Sequence, residues 1–204
     1  MIRKIKSALI SVSDKSELKP LLLTLKKNKI KIISSGGTYK IIKKLKFKCT
    51  EVSDFTGFNE MLDGRVKTLH PKIHAGILNK RNNRSHAKDI KNNKFENIDL
   101  VIVNFYPFEK TLKKTKNENK IIENIDIGGP ALVRAAAKNF NDVTVITSIH
   151  QYSELINELK INNGGTSLNF RKKMSQSAFS ETACYDASIT NYFNRINNTF
   201  FPNK

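Results

Sequence analysis

The sequence has no long hydrophobic run, little cysteine and half as many acidic as basic residues. Among its 204 residues, the apolar segment 100–105 is one of the longest, and Asn104 interrupts it, whereas a membrane-spanning helix needs about 20 apolar residues. Residues 1–6 also lack the apolar stretch and cleavage site of a signal peptide. These absences argue against a transmembrane protein and predict a cytoplasmic one.

The few potential metal ligands and thiols follow no known spacing. The two cysteines, Cys49 and Cys184, are far apart, which argues against a disulfide framework and a zinc ribbon. His70 and His74 have the spacing of a helical metal pair, but Pro71 lies between them and no third ligand is evident. We therefore predict no metal site and two structural histidines.

The basic excess is large but dispersed. The chain has 36 Lys and Arg against 18 Asp and Glu, a net charge of +18. A nucleic-acid-binding protein concentrates such charge on one face, whereas here basic residues extend from Arg3 to Lys204. We favour a solvated basic surface and predict no nucleic-acid or membrane partner. A nucleic-acid-binding protein is the alternative, and it predicts affinity that falls steeply with salt.

Short strand-like segments alternate with segments of helical periodicity, which predicts an α/β fold with a mostly parallel sheet flanked by helices. The predicted strands are 8–12, 30–33, 47–52, 98–104 and 143–147, and the predicted helices include 39–45, 128–138, 151–160 and 168–193. The polar stretch 109–119 is assigned no element. Residues 53–71 show no clean period and predict an ordered loop with short helical pieces, and loops of that length are usually functional.

Three polar loops follow predicted strands, at residues 11–15, 34–38 and 104–108. In parallel α/β sheets ligands bind beyond the carboxyl ends of the strands. We therefore expect these loops to meet at one edge of the sheet.

The first two loops are candidate phosphate cradles, because each lies between a strand and a helix start. Gly36 and Gly37 allow a close backbone approach, Ser13, Ser35 and Thr38 carry hydroxyl donors, and Lys15 adds charge. Helix caps and tight turns use the same residues, and neither loop matches a Walker or dinucleotide fingerprint. The pattern leaves both interpretations open.

Later polar residues are equally ambiguous on pattern alone. Arg65 and Lys67 lie in a loop bounded by glycine and proline that could be a solvated basic loop. Asp126 precedes a helix and Lys138 ends it, each a common helix-terminal position. The two could exchange protons only if the fold brings them together, and Tyr106 could be a packed aromatic or a catalytic phenol.

Taken together, these motifs resemble the IMP cyclohydrolase domain of bifunctional purine biosynthesis enzymes. The matching segments, in order and spacing, are 11–15 (SVSDK), 35–38 (SGGT), 54–58 (DFTGF), 60–74 (EMLDGRVKTLHPKIH), 104–108 (NFYPF), 124–130 (NIDIGGP) and 134–139 (RAAAKN). The resemblance implies a methylglyoxal-synthase-like (MGS-like) fold. It also implies one domain over 1–204, with an MGS-like core at about 1–147, a C-terminal helical segment at about 150–197 and no AICAR transformylase domain.

The resemblance implies closure of 5-formamidoimidazole-4-carboxamide ribotide to IMP with loss of water, a step of de novo purine biosynthesis, with no metal or organic cofactor. The implied phosphate-binding residues are Ser11, Ser13, Lys15, Ser35, Gly36, Gly37 and Thr38, the implied lining residues are Arg65, Thr68, Asn104, Gly128 and Gly129, and the implied catalytic residues are Lys67, Tyr106, Asp126 and Lys138. We hypothesise that Lys67 stabilises an oxyanion while Lys138, Asp126 and Tyr106 move protons.

Other functions use similar loops. A phosphate- or nucleotide-sensing MGS-like regulatory domain, a methylglyoxal synthase and an inactive remnant of the bifunctional enzyme are the alternatives. The expected small-molecule partner is a purine ribotide, and the expected protein partners are a second copy or a separate transformylase.

Overall fold

Seven short strands form two sheets in the computed structural model, which describes residues 1–197. The strands are β1 (Ile2–Lys4), β2 (Ser7–Val12), β3 (Lys31–Ser34), β4 (Thr50–Glu51), β5 (Leu100–Asn104), β6 (Thr144–Ile146) and β7 (Gly165–Ser167). Five of them form a parallel sheet in the order β4-β3-β2-β5-β6. The predicted α/β architecture is confirmed.

Helices connect and cover these strands. They are α1 (Leu18–Lys27), α2 (Gly36–Lys44), α3 (Val52–Thr56), α4 (Pro71–Leu78), α5 (Arg84–Asn92), α6 (Phe108–Lys114), α7 (Glu118–Glu123), α8 (Gly128–Lys138), α9 (Tyr152–Ile161) and α10 (Leu168–Asn197), with 3-10 turns at Leu62–Gly64 and Ile149–Gln151. Helix α1 shows why they pack: its four buried leucines recur every three or four residues and form one apolar stripe. Within the described residues, no helix is long and apolar enough to span a membrane.

The strand register places the three polar loops together. Strands β2, β5 and β6 are buried along nearly their whole length, as expected for a parallel sheet covered on both faces. Val12 pairs with Asn104, and Ile10 pairs with Ser34. The ends of β2, β3 and β5 therefore coincide at one edge, as the sequence predicts.

Strand β4 is shorter than the predicted strand 47–52. Lys46 is left-handed, with φ of 61°, and the backbone N–H of Phe47 donates to the Ile42 carbonyl. This pattern ends a helix by capping its last carbonyls. The Phe47 N–H therefore caps the end of α2 and does not pair with a strand. Only Thr50–Glu51 pairs with β3.

Two features were not predicted. The polar stretch 109–119 contains most of α6 and the start of α7, which are anchored by buried Phe108 and Ile121. The N-terminal β1 pairs antiparallel with β7, so Ile2 lies opposite Ser167. Both features depend on partners distant in the chain, which local periodicity does not report.

Arg171 on α10 is fully buried and holds the C-terminal end of α8. Its guanidinium donates to the carbonyls of Phe140 at 2.8 Å and Asn141 at 3.1 Å, and also to the Thr166 carbonyl. Phe140 and Asn141 follow the end of α8, where carbonyls have no helical partner, and Thr166 lies in β7.

We expect Arg171→Met to destabilise the fold strongly. It removes the donor of one buried and two part-buried carbonyls, and each buried unsatisfied group costs about 1–3 kcal/mol. A total of about 3 kcal/mol or more lowers Tm by roughly 6–12 °C in a chain of this size, measurable by thermal denaturation. Lys172→Met, at the exposed neighbouring position, is the matched control, and equal Tm values for the two variants would show that Arg171 is not a structural anchor.

Candidate active site

A cavity of about 740 Å³ lies at the carboxyl edge of the parallel sheet. Its lining combines the three polar loops with a loop around residues 63–68 and the segment 122–129. The predicted site residues in this lining are Ser11, Ser13, Lys15, Ser35, Gly36, Gly37, Thr38, Arg65, Lys67, Thr68, Asn104, Tyr106, Asp126, Gly128 and Gly129. The fold thus brings together segments more than 100 residues apart in the chain.

Lys138 is the predicted site residue that the cavity lacks. It is exposed at the C-terminal end of α8, ten residues from Gly128 and thus about 15 Å along the helix axis at 1.5 Å per residue. The expectation that Lys138 and Asp126 form a proton-transfer pair within one chain is therefore wrong, since the helix separates them.

Asn104 organises the first loop. Its side-chain oxygen accepts the backbone N–H groups of Ser13 at 2.7 Å and Asp14 at 2.9 Å, and its amide nitrogen donates to the Asp14 carbonyl. One side chain at the end of β5 therefore fixes the loop after β2. Because its amide is bonded to the loop, Asn104 shapes the cavity by fixing the conformation of residues 13 and 14.

Thr38 differs from its expected role as an anion donor. It is buried, and its hydroxyl both accepts the Val12 N–H and donates to the Val12 carbonyl, each at 3.0 Å. The single hydroxyl proton is thus committed to the end of β2. Thr38 forms the floor of the cavity by joining α2 to β2.

Two ammonium groups lie at the N-terminus of α2. A Cβ placed on Gly36 would lie 3.6 Å from Lys67 Nζ, and one placed on Gly37 would lie 3.9 Å from Lys15 Nζ. The free N–H groups and the dipole of a helix N-terminus already favour an anion. The two lysines add charge at the same point, so this end of the cavity is suited to a phosphate group.

The loop that carries Lys67 has an unusual backbone. Leu62, Asp63 and Gly64 all have left-handed φ angles, of 53°, 53° and 88°, and a bridge between Met61 and Val66 closes the loop. Such backbone is costly for non-glycine residues and is commonly found at functional sites. Position 64 requires glycine for two reasons. Its φ angle is left-handed, and a Cβ there would clash with the Lys67 side chain.

Carboxylates pair with both cations of this loop. Lys67 Nζ lies 2.8 Å from Glu60 Oε2, and the Arg65 guanidinium pairs with Glu123. No sequence pattern marks Glu60 or Glu123, and only the folded loops bring them to Lys67 and Arg65. Both pairs are largely exposed to solvent, so each contributes little to stability.

Asp126 is the partly buried acid of the site. Its Oδ1 accepts the Gly129 N–H at 2.8 Å, and a Cβ on Gly129 would overlap the carboxylate. Burial raises the pKa of Asp126, while the backbone N–H groups of Gly129 and Tyr106 act in the opposite direction. The net shift of the pKa is upward, the direction that favours proton uptake by a general base.

Tyr106 projects from the loop after β5 to the cavity mouth. It is 55% exposed, so it is not the packed aromatic residue that the pattern also allowed. Its neighbours in the NFYPF segment, Phe105 and Phe108, pack inward instead. The phenol is therefore available to a ligand.

The two central histidines lie outside this lining. His70 caps α4, because its Nδ1 accepts the Lys72 N–H at 3.1 Å. Burial lowers the pKa of His74, which favours its neutral form. Both positions fit structural histidines.

Comparison with known proteins shows that nearly the whole chain is similar to bifunctional purine biosynthesis proteins. A family model described as MGS-like domain matches residues 17–131, and one described as AICARFT/IMPCHase bienzyme matches residues 136–204. Two relatives named Bifunctional purine biosynthesis protein PurH come from Bradyrhizobium diazoefficiens, 47% identical over 95% of this chain, and Clostridioides difficile, 49% identical over 92%. The chain spans about 36% of the length of each.

A solved structure agrees in fold. The crystal structure of ForH superposes with a TM-score of 0.82 at 28% identity, and the match covers 93% of this chain and 99% of that one.

Proposed function

The chain belongs to the MGS-like domain family and is similar along its length to bifunctional purine biosynthesis proteins, and from this membership we propose that it is an IMP cyclohydrolase. In the proposed reaction, the carboxamide nitrogen of 5-formamidoimidazole-4-carboxamide ribotide attacks the formyl carbon. The carboxamide nitrogen loses a proton and the formyl oxygen gains one, which gives a cyclic carbinolamine. Its hydroxyl then takes a second proton and leaves as water, while the former formamide nitrogen loses its proton to form the C=N bond of IMP.

The distribution of charge within one cavity supports this proposal. The N-terminus of α2, with Lys15, forms a cationic end suited to the ribotide phosphate. Asp126 and Tyr106 lie in the same lining and can exchange protons. A substrate that joins a phosphate to a ring with reacting amide groups fits both features.

The chemistry explains the residue types. A carboxamide nitrogen is a poor nucleophile, so the site must hold the two groups face to face and stabilise the developing oxyanion. We assign oxyanion stabilisation to the Lys67 ammonium. Asp126 accepts the proton from nitrogen, and the Tyr106 phenol donates to the departing hydroxyl.

We also propose that the active form is a homodimer. Because Lys138 lies at the far end of α8, it can reach a cavity only if a second copy brings it there. A transformylase, joined or separate, would supply the formylated substrate. The two cysteines are unpaired, which suits a reducing compartment such as the cytoplasm.

The test is ultraviolet-monitored conversion of the ribotide to IMP by the purified chain, without folate or added metal. We expect turnover. Binding of IMP without turnover would instead favour a nucleotide-sensing domain or an inactive remnant. If the chain neither binds nor converts the ribotide, the proposal is wrong.

A further inference from the structure

The distal half of α10 lies next to the proposed active site, although none of its residues whose side chains are described, up to position 195, lines the cavity. Tyr185, on this half, is buried with Phe108 and Ile121 in a small apolar cluster apart from the main core. Phe105, Ile125 and Tyr192 pack around the cluster. Its members come from three segments of the chain, 105–112, 121–125 and 185–192. The first of these contains Tyr106, and the second continues directly into Asp126.

The phenol of Tyr185 holds the segment that carries Asp126. The backbone N–H of Asp126 donates to Tyr185 Oη at 2.8 Å. Tyr185 is only 8% exposed, so water has little access to replace this acceptor. A buried N–H needs a partner, and here the partner is 59 residues away in the chain.

The ring of Tyr185 holds the Tyr106 loop from the same side. Its centroid lies 4.9 Å from that of Phe105 and 6.4 Å from that of Phe108, in tilted and edge-on arrangements typical of stabilising aromatic pairs. These two phenylalanines flank Tyr106 on both sides. One side chain therefore fixes both loops that carry the proposed proton-transfer groups.

We propose that Tyr185 is a positioning residue for ring closure, which sets the Asp126 carboxylate and the Tyr106 phenol in their reactive geometry through its hydroxyl and its ring. The inference rests on the proposed function. Tyr185 does not line the cavity, so the effect of its hydroxyl passes through the backbone of Asp126.

The physical reason is the direction of the Asp126 side chain. The Asp126 carboxylate accepts the backbone N–H groups of Gly129 and Tyr106, and the backbone N–H of Asp126 itself is held by Tyr185. Without the Tyr185 hydroxyl, the Asp126 peptide can rotate while the hydrogen bonds of the carboxylate remain. A displacement of about 1 Å in such a group can cost about 100-fold in rate.

The experiment compares Tyr185→Phe with wild type in the conversion assay. The substitution removes one oxygen and keeps the ring, so the aromatic cluster stays packed. We expect kcat to fall about 10-fold with KM nearly unchanged, the pattern of an interaction that acts in the transition state. Tyr192→Phe is the matched control, because Tyr192 packs edge-on against Phe108 in the same cluster and, among the described residues, makes no hydrogen bond to the 124–126 segment. We expect wild-type kcat from it.

A double variant separates positioning from general support of the fold. If Tyr185 acts through Asp126, adding Tyr185→Phe to Asp126→Asn should lower kcat no further, because residues that act as a unit are not additive. A multiplied loss, or wild-type kcat in Tyr185→Phe, would overturn the inference while leaving the proposed function intact.

Amide hydrogen exchange provides a readout that does not need turnover. The Asp126 N–H should exchange at least about 10-fold faster in Tyr185→Phe than in wild type, with the β5 amides unchanged. If wild type lacks turnover, the proposed function fails, and exchange alone then decides the positioning: faster exchange confined to the Asp126 segment supports it, and unchanged exchange refutes it.

Discussion

Asp126→Asn is expected to lower kcat by about 100- to 10,000-fold, the loss typical of a missing general base or acid. Asparagine keeps the shape and can still accept the Gly129 N–H, but it takes no proton from the reacting nitrogen. The acid limb of the pH–rate profile, which reports protonation of this carboxyl as pH falls through its raised pKa, should disappear in the variant. Steady-state assays over a range of pH measure both effects.

The same variant should not lose stability. Burial raises the pKa of Asp126 in the folded state, so the charged form is disfavoured there, and this penalty grows as pH rises above the unfolded-state pKa. At neutral pH the uncharged asparagine removes the penalty, and Tm should equal or exceed that of wild type. Asp186→Asn, an exposed carboxylate beside Tyr185, is the control and should behave as wild type. Near-normal turnover in folded Asp126→Asn would refute the catalytic assignment.

Lys67→Met is expected to lower kcat by about 100- to 1,000-fold, the cost of losing one oxyanion-stabilising donor. KM should change little, because Lys15 and the N-terminus of α2 remain to hold the phosphate. Separate determination of kcat and KM is the measurement. Lys72→Met is the control, because Lys72 lies near the same loop but stacks over Phe55 and does not line the cavity.

The kcat and KM values also distinguish two roles for Lys67. Its ammonium lies near the Gly36 backbone, where it could serve the phosphate alone. A phosphate clamp predicts a higher KM with unchanged kcat, since it binds ground state and transition state equally. That result would contradict the oxyanion role and leave the binding site standing.

Part of the site could be predicted from the amino-acid sequence alone. Residues 11–15, 34–38 and 104–108 each follow an apolar strand, and parallel strands end at one edge. Gly36 and Gly37 then mark the helix start where an anion binds. These positions are encoded locally, by strand periodicity and by turn residues that few other conformations accept.

Other assignments needed the fold. Thr38 and Ser35 look alike as hydroxyl donors in the sequence, but only the packing of α2 against β2 shows that the Thr38 hydroxyl is used by Val12. Glu60 and Glu123 are ordinary acidic residues until the loops place them beside Lys67 and Arg65. Spacing carries no information about which face of a loop meets a distant segment.

The sequence by itself determined the α/β class, the parallel sheet and the edge at which its polar loops meet, because short-range periodicity encodes strands and helices. Only the tertiary structure decided that Lys138 lies outside the cavity of its own chain and that Tyr185 holds Asp126. The first depends on the length and direction of one helix, and the second on a hydrogen bond across 59 residues. Such contacts are selected by the packing of the whole core, so the residues around any one position do not reveal them.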